Sequence, residues 1–204
     1  TVLVWRGQRL VKTRVGQGRV SVALGTRAAG AYRVTVSLRP AAGFVLARRV
    51  LERIVYRPYL STGSAGQSVY ELDRRLDELH FALGRVDGYF GQDDYDAVIA
   101  FQKLHGLPRT GAVDPRFWTE LQDALVPRPR YPGTHVEVSK SRQVLFLVRD
   151  GEVALIVPVS TGATGNTPLG HWRVYSRVPG YNALEMYYSS FFVGAFAIHG
   201  YHSV

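Results

Sequence analysis

The chain divides into three stretches that differ in the spacing of their apolar positions. Over residues 1–58 apolar and polar residues alternate: "GRVSVAL" sets Val20, Val22 and Leu24 on one face, and "AYRVTVSL" does the same with Tyr32, Val34, Val36 and Leu38. Successive strand side chains point to opposite faces, so this period of two predicts half-buried strands. Gly-rich breaks between them predict an antiparallel β-sandwich, here partial.

Over residues 62–125 the spacing becomes helical. Val69, Leu72, Leu76 and Leu79 recur at three and four residues and predict one apolar stripe. In "RVDGYFGQDDYDAVIAFQKLHGL" the glycines predict a tight loop. Asp94 is the expected cap of a helix carrying Ala97, Val98 and Phe101, with Gly106 ending it and Leu107 closing the core. A last helix opens at Asp114-Pro115. Residues 126–133 hold three prolines and predict a semi-rigid extended linker.

Strands return over 134–204. Two apolar runs flank Asp150-Gly151, the pair favoured in a type I′ hairpin turn, and "TPLGHWRVYSRV" predicts a turn and a further strand. The region "EMYYSSFFVGAFAIHGY" is apolar enough to predict burial, with glycines marking close backbone approach. The fold class expected is multidomain α+β: a partial sandwich (1–58), a three-helix module (62–125), a linker (126–133) and a mostly-β domain (134–204).

The net charge of +9 adds a surface that attracts polyanions. The arginines are scattered singly or in pairs such as Arg48-Arg49 and Arg74-Arg75, without the basic run of a nucleic-acid arm, so nucleic acid is not an expected partner. No stretch approaches the roughly 20 apolar residues that span a bilayer, and no anchor or leader is visible in the sequence. The absence of cysteine excludes disulfides and thiolate metal sites within these 204 residues.

Few constellations are left to carry chemistry. Asp87, Asp93, Asp94 and Asp96 surround a turn and a helix start, where aspartate caps amides, and their spacing does not match a calcium loop. No carboxylate pair suits a glycosidase, no H-E-x-x-H or H-x-x-x-H suits zinc, and no G-x-S-x-G suits a serine hydrolase. "STGSAG" lacks the lysine of a phosphate loop. His199, closing the last apolar run, is by itself either a satisfied turn residue or a base.

Three segments taken together resemble an L,D-transpeptidase catalytic domain of the YkuD type: "HVEVSKSRQVLFLVRDGEVALIVPVSTG", "NTPLGHWRV" and "EMYYSSFFVGAFAIHGY". Residues 63–125 resemble the peptidoglycan-binding type 1 module in "GSAGQSVYELDRRL", "VDGYFG" and "AVIAFQKLHGL", with Asp73 where that family commonly has Gln. The first 58 residues resemble an immunoglobulin-like segment in pattern only.

The resemblance implies a cysteine acyltransferase of the bacterial cell wall, outside the cytoplasm, using no cofactor and no metal. A thiolate would attack a peptidoglycan stem peptide, D-alanine would leave, and a neighbouring stem would resolve the thioester as a 3→3 cross-link. His199 falls on the family's base and Gly200 on the residue whose carbonyl orients it. Met186, Tyr187 and Tyr188 fall beside the stem-peptide groove, with packing beneath the site as the other reading. Thr167, Pro168 and Gly170 match a structural turn, and His202 stands where proline is usual. The implied partners are stem peptides and glycan, with anionic wall polymers added by the basic charge. The family's S-H-G-C motif, about ten to twenty residues beyond His199, is not in the sequence. The expectation is a piece of a longer enzyme, inactive as it stands; the alternative is a non-catalytic wall-binding protein.

Overall fold

The computed structural model describes residues 1–17, 20, 22, 29–37, 48–162, 164–183 and 186–200. Leu24 and Leu38 of the expected strands, and Tyr201 and His202 of the expected motif, lie outside them. Val20 and Val22 belong to no strand.

The first stretch forms one antiparallel sheet of β1 (Val2–Arg6), β2 (Arg9–Arg14), β3 (Gly30–Ser37) and β4 (Arg48–Tyr56), in the order β2-β1-β3-β4. Val2, Val4 and Tyr32 are buried, as the alternation requires. Among the described residues the first stretch is this one four-stranded sheet; most of residues 18–47, where further strands of the expected partial sandwich would fall, lie outside them.

The module consists of α1 (Gln67–Glu78), α2 (Gln92–His105) and α3 (Pro115–Asp123). Val69, Leu72, Leu76 and Leu79 are buried, which bears out the predicted stripe. The Asp114 carboxylate accepts from Phe117 N at 2.7 Å, and Gly106 ends α2 in the left-handed conformation at φ 66°. Asp94 does not occupy the cap itself. Gly91 is the N-cap, and Asp94 reaches back from the first turn to accept from Gly91 N at 2.7 Å. Phe101 stands at the middle of the core, with ring centroids 5.5 Å from Phe81 and 4.6 Å from Phe117.

Beyond the module lie two three-stranded antiparallel sheets. One joins β5 (His135–Ser139), β6 (Val144–Arg149) and β7 (Glu152–Pro158) in the order β5-β6-β7. Its Asp150-Gly151 turn has φ of 52° and 84°, as a type I′ turn requires. The other joins β8 (Ser176–Tyr181), β9 (Tyr187–Val193) and β10 (Phe196–Gly200) in the order β10-β9-β8.

The expected linker, 126–133, contains neither helix nor strand. The Glu137 carboxylate holds its end, accepting from Arg130 N at 2.7 Å and Tyr131 N at 3.0 Å. The module also docks directly on the sheet it precedes. Residues 80–82 pair with the free edge of β7: Ile156 N donates to His80 O at 2.8 Å, and Ala82 N donates to Ile156 O at 2.9 Å. The His80 ring meets Val153 O, and Lys103 Nζ donates to Val159 O at 3.0 Å. Val144, Val153 and Ile156 join the same buried cluster as the helices.

The last apolar region is not buried as expected. Tyr187, Tyr188 and Phe196 are exposed, and Ser189 is the buried residue of β9. Irregularities in the pairing of β8, β9 and β10 accompany these exposed aromatic side chains.

Candidate active site

His199 is the penultimate residue of β10, exposed at the edge of the β10-β9-β8 sheet. Its Nδ1 lies 3.0 Å from the carbonyl oxygen of Gly200. A carbonyl only accepts, so this contact requires the proton on Nδ1 and leaves the Nε2 lone pair free when the ring is neutral. A histidine in that tautomer can take a proton from an acidic neighbour such as a thiol.

The pairing across from His199 is irregular. Ile198 faces Ser190 while Gly200 faces Tyr187, so two steps along β10 match three along β9. The extra residue puts Tyr188 in the left-handed region at φ 49°, a conformation that costs a non-glycine residue energy. A second irregularity lies on β8, where Val178 faces Ser189 and Tyr181 faces Tyr187, with Gly180 at φ 68° between them. Bulges of this kind bend a strand and re-aim its side chains.

The result is an exposed aromatic group beside His199. The Tyr181 and Tyr187 ring centroids are 4.7 Å apart, and Tyr187 and Tyr188 meet edge to face at 4.5 Å. Gly200 permits this packing: a Cβ there would stand 3.3 Å from Tyr187 Cδ1 and 3.4 Å from Tyr187 O. Desolvation and the neighbouring Tyr188 and Tyr181 hydroxyls push the Tyr187 phenol up from its ordinary range.

Of the residues singled out from the sequence, His199, Gly200, Tyr187 and Tyr188 thus gather in one place. Met186 is half-buried, and its backbone is tied to Asn182: Met186 N donates to Asn182 Oδ1 at 3.2 Å and its carbonyl accepts from Asn182 N at 3.1 Å. Asn182 also donates to Ser189 Oγ at 3.2 Å. Neither Asn182 nor Tyr181 stood out in the sequence, and the "YN" after Gly180 is the only local signal of a turn there. Thr167 and Pro168 lie in an irregular segment, 165–169, with a bend at Gly170, and side chains hold that segment in place. Thr167 Oγ1 donates to Thr161 O, and Lys140 Nζ donates to Gly165 O at 3.0 Å and to Thr167 O. Gln143 fixes the other side, donating to Thr161 Oγ1 and accepting from Thr161 N at 2.8 Å.

Among the described residues no three histidine, aspartate or glutamate side chains converge as a metal would need, and no helix is long and apolar enough to cross a membrane.

Comparison with known proteins gives this geometry a context. Residues 65–121 match the model of a peptidoglycan binding domain, and residues 133–203 match that of the L,D-transpeptidase catalytic domain. A 52-residue stretch is 42% identical to the spore cortex-lytic enzyme of Bacillus cereus, covering 26% of this chain and 20% of the relative. The chain therefore spans only a fifth of the length of the curated relatives it matches. The solved L,D-transpeptidase of Xylanimonas cellulosilytica is 33% identical, over 71% of this chain and 79% of that one, with a TM-score of 0.64. With a third of its residues shared across most of that structure, the chain belongs to the L,D-transpeptidase family, with a peptidoglycan-binding module ahead of its catalytic-domain segment.

Proposed function

We propose that this chain supplies the wall-binding module, the base and one substrate wall of an enzyme that joins peptidoglycan stem peptides through 3→3 cross-links, acting on the cell-wall side of the membrane. The observation that carries the reading is the contact of His199 Nδ1 with the Gly200 carbonyl in a member of this family. With Nε2 free, His199 accepts the proton of a cysteine thiol as it attacks the carbonyl after the third stem residue. It returns that proton to the departing D-alanine amine. The amine of a second stem then attacks the thioester, His199 takes a proton from it, and the thiol is regenerated. The aromatic group of Tyr181, Tyr187 and Tyr188 flanks the donor peptide, and Met186 sets the loop before it.

The 204 residues hold no cysteine, and on this reading the thiolate is supplied from outside them. Their lack of a nucleophile also favours a second reading, a wall-binding protein without catalysis. A covalent carbapenem adduct, read by mass, separates the two. The 204 residues alone should form none. Joined to a cysteine-bearing S-x-G-C segment they should form one, and His199→Ala should slow its formation by about 10²–10⁴-fold while binding to purified peptidoglycan is unchanged. Acylation unaffected by His199→Ala would remove it from the mechanism. No adduct in the joined protein would favour the second reading.

A further inference from the structure

Two buried carboxyl groups of the module hold the same short segment. Asp73 of α1 is 0% exposed and Asp94 of α2 is 5% exposed. Asp73 Oδ2 accepts from Gly88 N at 3.1 Å, and Asp94 Oδ2 accepts from Gly91 N at 2.7 Å. Between them the two acids hold both ends of the segment 88–91. That segment presents an exposed Tyr89 and borders an open pocket of about 250 Å³, lined also by Arg85, Asp87 and Asp94 itself.

The other oxygen of each acid, Oδ1, has no donor. Both unpartnered oxygens are buried, and the two acids that carry them grip opposite ends of the same four-residue segment. If both groups were ionised, two like charges would face each other at low dielectric, each with an unsatisfied buried acceptor. A single proton between them removes the repulsion and supplies the missing donor.

Among the described residues no cation is among the main charges acting on Asp73, and Arg85 lines the same pocket as Asp94. The charges that reach Asp73 are those of Asp94, from α2, and Asp87, from the connecting loop, both acidic. On its own helix, Arg74 is engaged with Glu71 and Glu78. Arg75 is engaged with Glu78 and the carbonyls of Leu121 and Ala124. Burial first, and then Asp94 and Asp87, push Asp73 up to about 7 against the opposing bond from Gly88.

We propose that Asp73 and Asp94 share one proton, that this proton clamps the 88–91 segment, and that its loss on the alkaline side loosens the pocket and weakens the module's hold on peptidoglycan. The last clause rests on the reading of the module as a peptidoglycan binder. The sign follows from the direction of the shift. The native state binds the proton more tightly than the unfolded chain, so stability is full below the ordinary aspartate range and is lost as pH rises through about 7.

The test uses the whole chain. Melting temperature and retention on purified peptidoglycan are measured from about pH 5.5 to about pH 8.5 for wild type, Asp73→Asn and Asp94→Asn. Each asparagine still accepts from its glycine amide while donating N–H to the partner acid, which makes the shared proton unnecessary. In wild type, melting temperature should fall by several degrees and affinity on the order of tenfold across this range. Both variants should be flat. The infrared spectrum of wild type near pH 6 should show a carboxylic-acid C=O band that Asp73→Asn removes. A flat wild-type melting profile, or variants that follow a sloping one, would overturn the shared proton. A sloping melting profile with pH-independent binding would overturn its link to the pocket. A chain that binds peptidoglycan at no pH would overturn the reading of the module instead, and the melting and infrared measurements would still decide the proton.

Discussion

At the scale of single residues, small side chains carry several of the tightest constraints. Gly111 lies at φ 67°, and a Cβ there would stand 1.9 Å from Tyr95 Cε2, inside the ring's van der Waals surface. Tyr95 packs against the core and cannot swing away without exposing it. Gly111→Ala should therefore cost about 1–3 kcal/mol, from backbone strain and displacement of the ring, measured by chemical denaturation. A loss within about 0.5 kcal/mol would mean that Tyr95 relaxes freely. Residues of this kind are hard to recognise from sequence, because "RTGAV" looks like any polar turn until the tyrosine sixteen positions earlier is folded onto it. His199 was ambiguous by itself, and only the resemblance of the segments around it singled it out as a candidate base. Asp73 stood out only as an Asp where the resembled module commonly has Gln, because its bond to Gly88 N depends on the loop after α1 folding back over the helix.

At the scale of elements, the helices could be read and the last sheet could not. The apolar spacing of α1 and the Asp114-Pro115 start of α3 are local signals, and local signals survive folding. Asp114→Ala should remove the acceptor for Phe117 N and cost about 1 kcal/mol, seen as a lower denaturation midpoint. No change would mean that the cap is replaced by water. The pairing of β9 with β8 and with β10 is irregular, and Tyr187 and Tyr188, in a region whose apolar composition predicted burial, are exposed. The same irregularities fall where β9 runs alongside the stretch of β10 that carries His199. The edge of β7 was also illegible: nothing in "HFAL" marks it as the partner of a strand some 75 residues later.

At the scale of the whole molecule, the question is which joints are firm. The first sheet meets α1 through Arg6, whose guanidinium donates to Glu71 at 3.1 Å and to Ala29 O at 3.0 Å. Burial acts to raise the Glu71 carboxyl, but Arg6, Gln67 and Arg74 outweigh it and hold the group below its usual range. A partly exposed pair of this kind is worth at most about 1 kcal/mol. The joint between the module and the β5-β6-β7 sheet is of another order, because it combines backbone pairing with a shared core. Ile156 is fully buried there, and Ile156→Ala alone should cost about 2–5 kcal/mol.

The module is thus held as a layer of the catalytic-domain segment, and a wall strand bound to it would sit at a fixed orientation to β5–β7. The 126–133 segment, which looked like a tether in the sequence, would then matter less than the edge pairing. Ala82→Pro separates these two possibilities, because it removes the N–H that donates to Ile156 O while leaving the segment 126–133 intact. If the edge pairing makes one unit, wild type should unfold residues 60–158 in a single calorimetric transition. Ala82→Pro should then split that transition or broaden it, and expose 126–133 to limited proteolysis. One unchanged transition and an unchanged proteolytic pattern in Ala82→Pro would assign the coupling to the apolar contacts of Ile156 and Val153 alone.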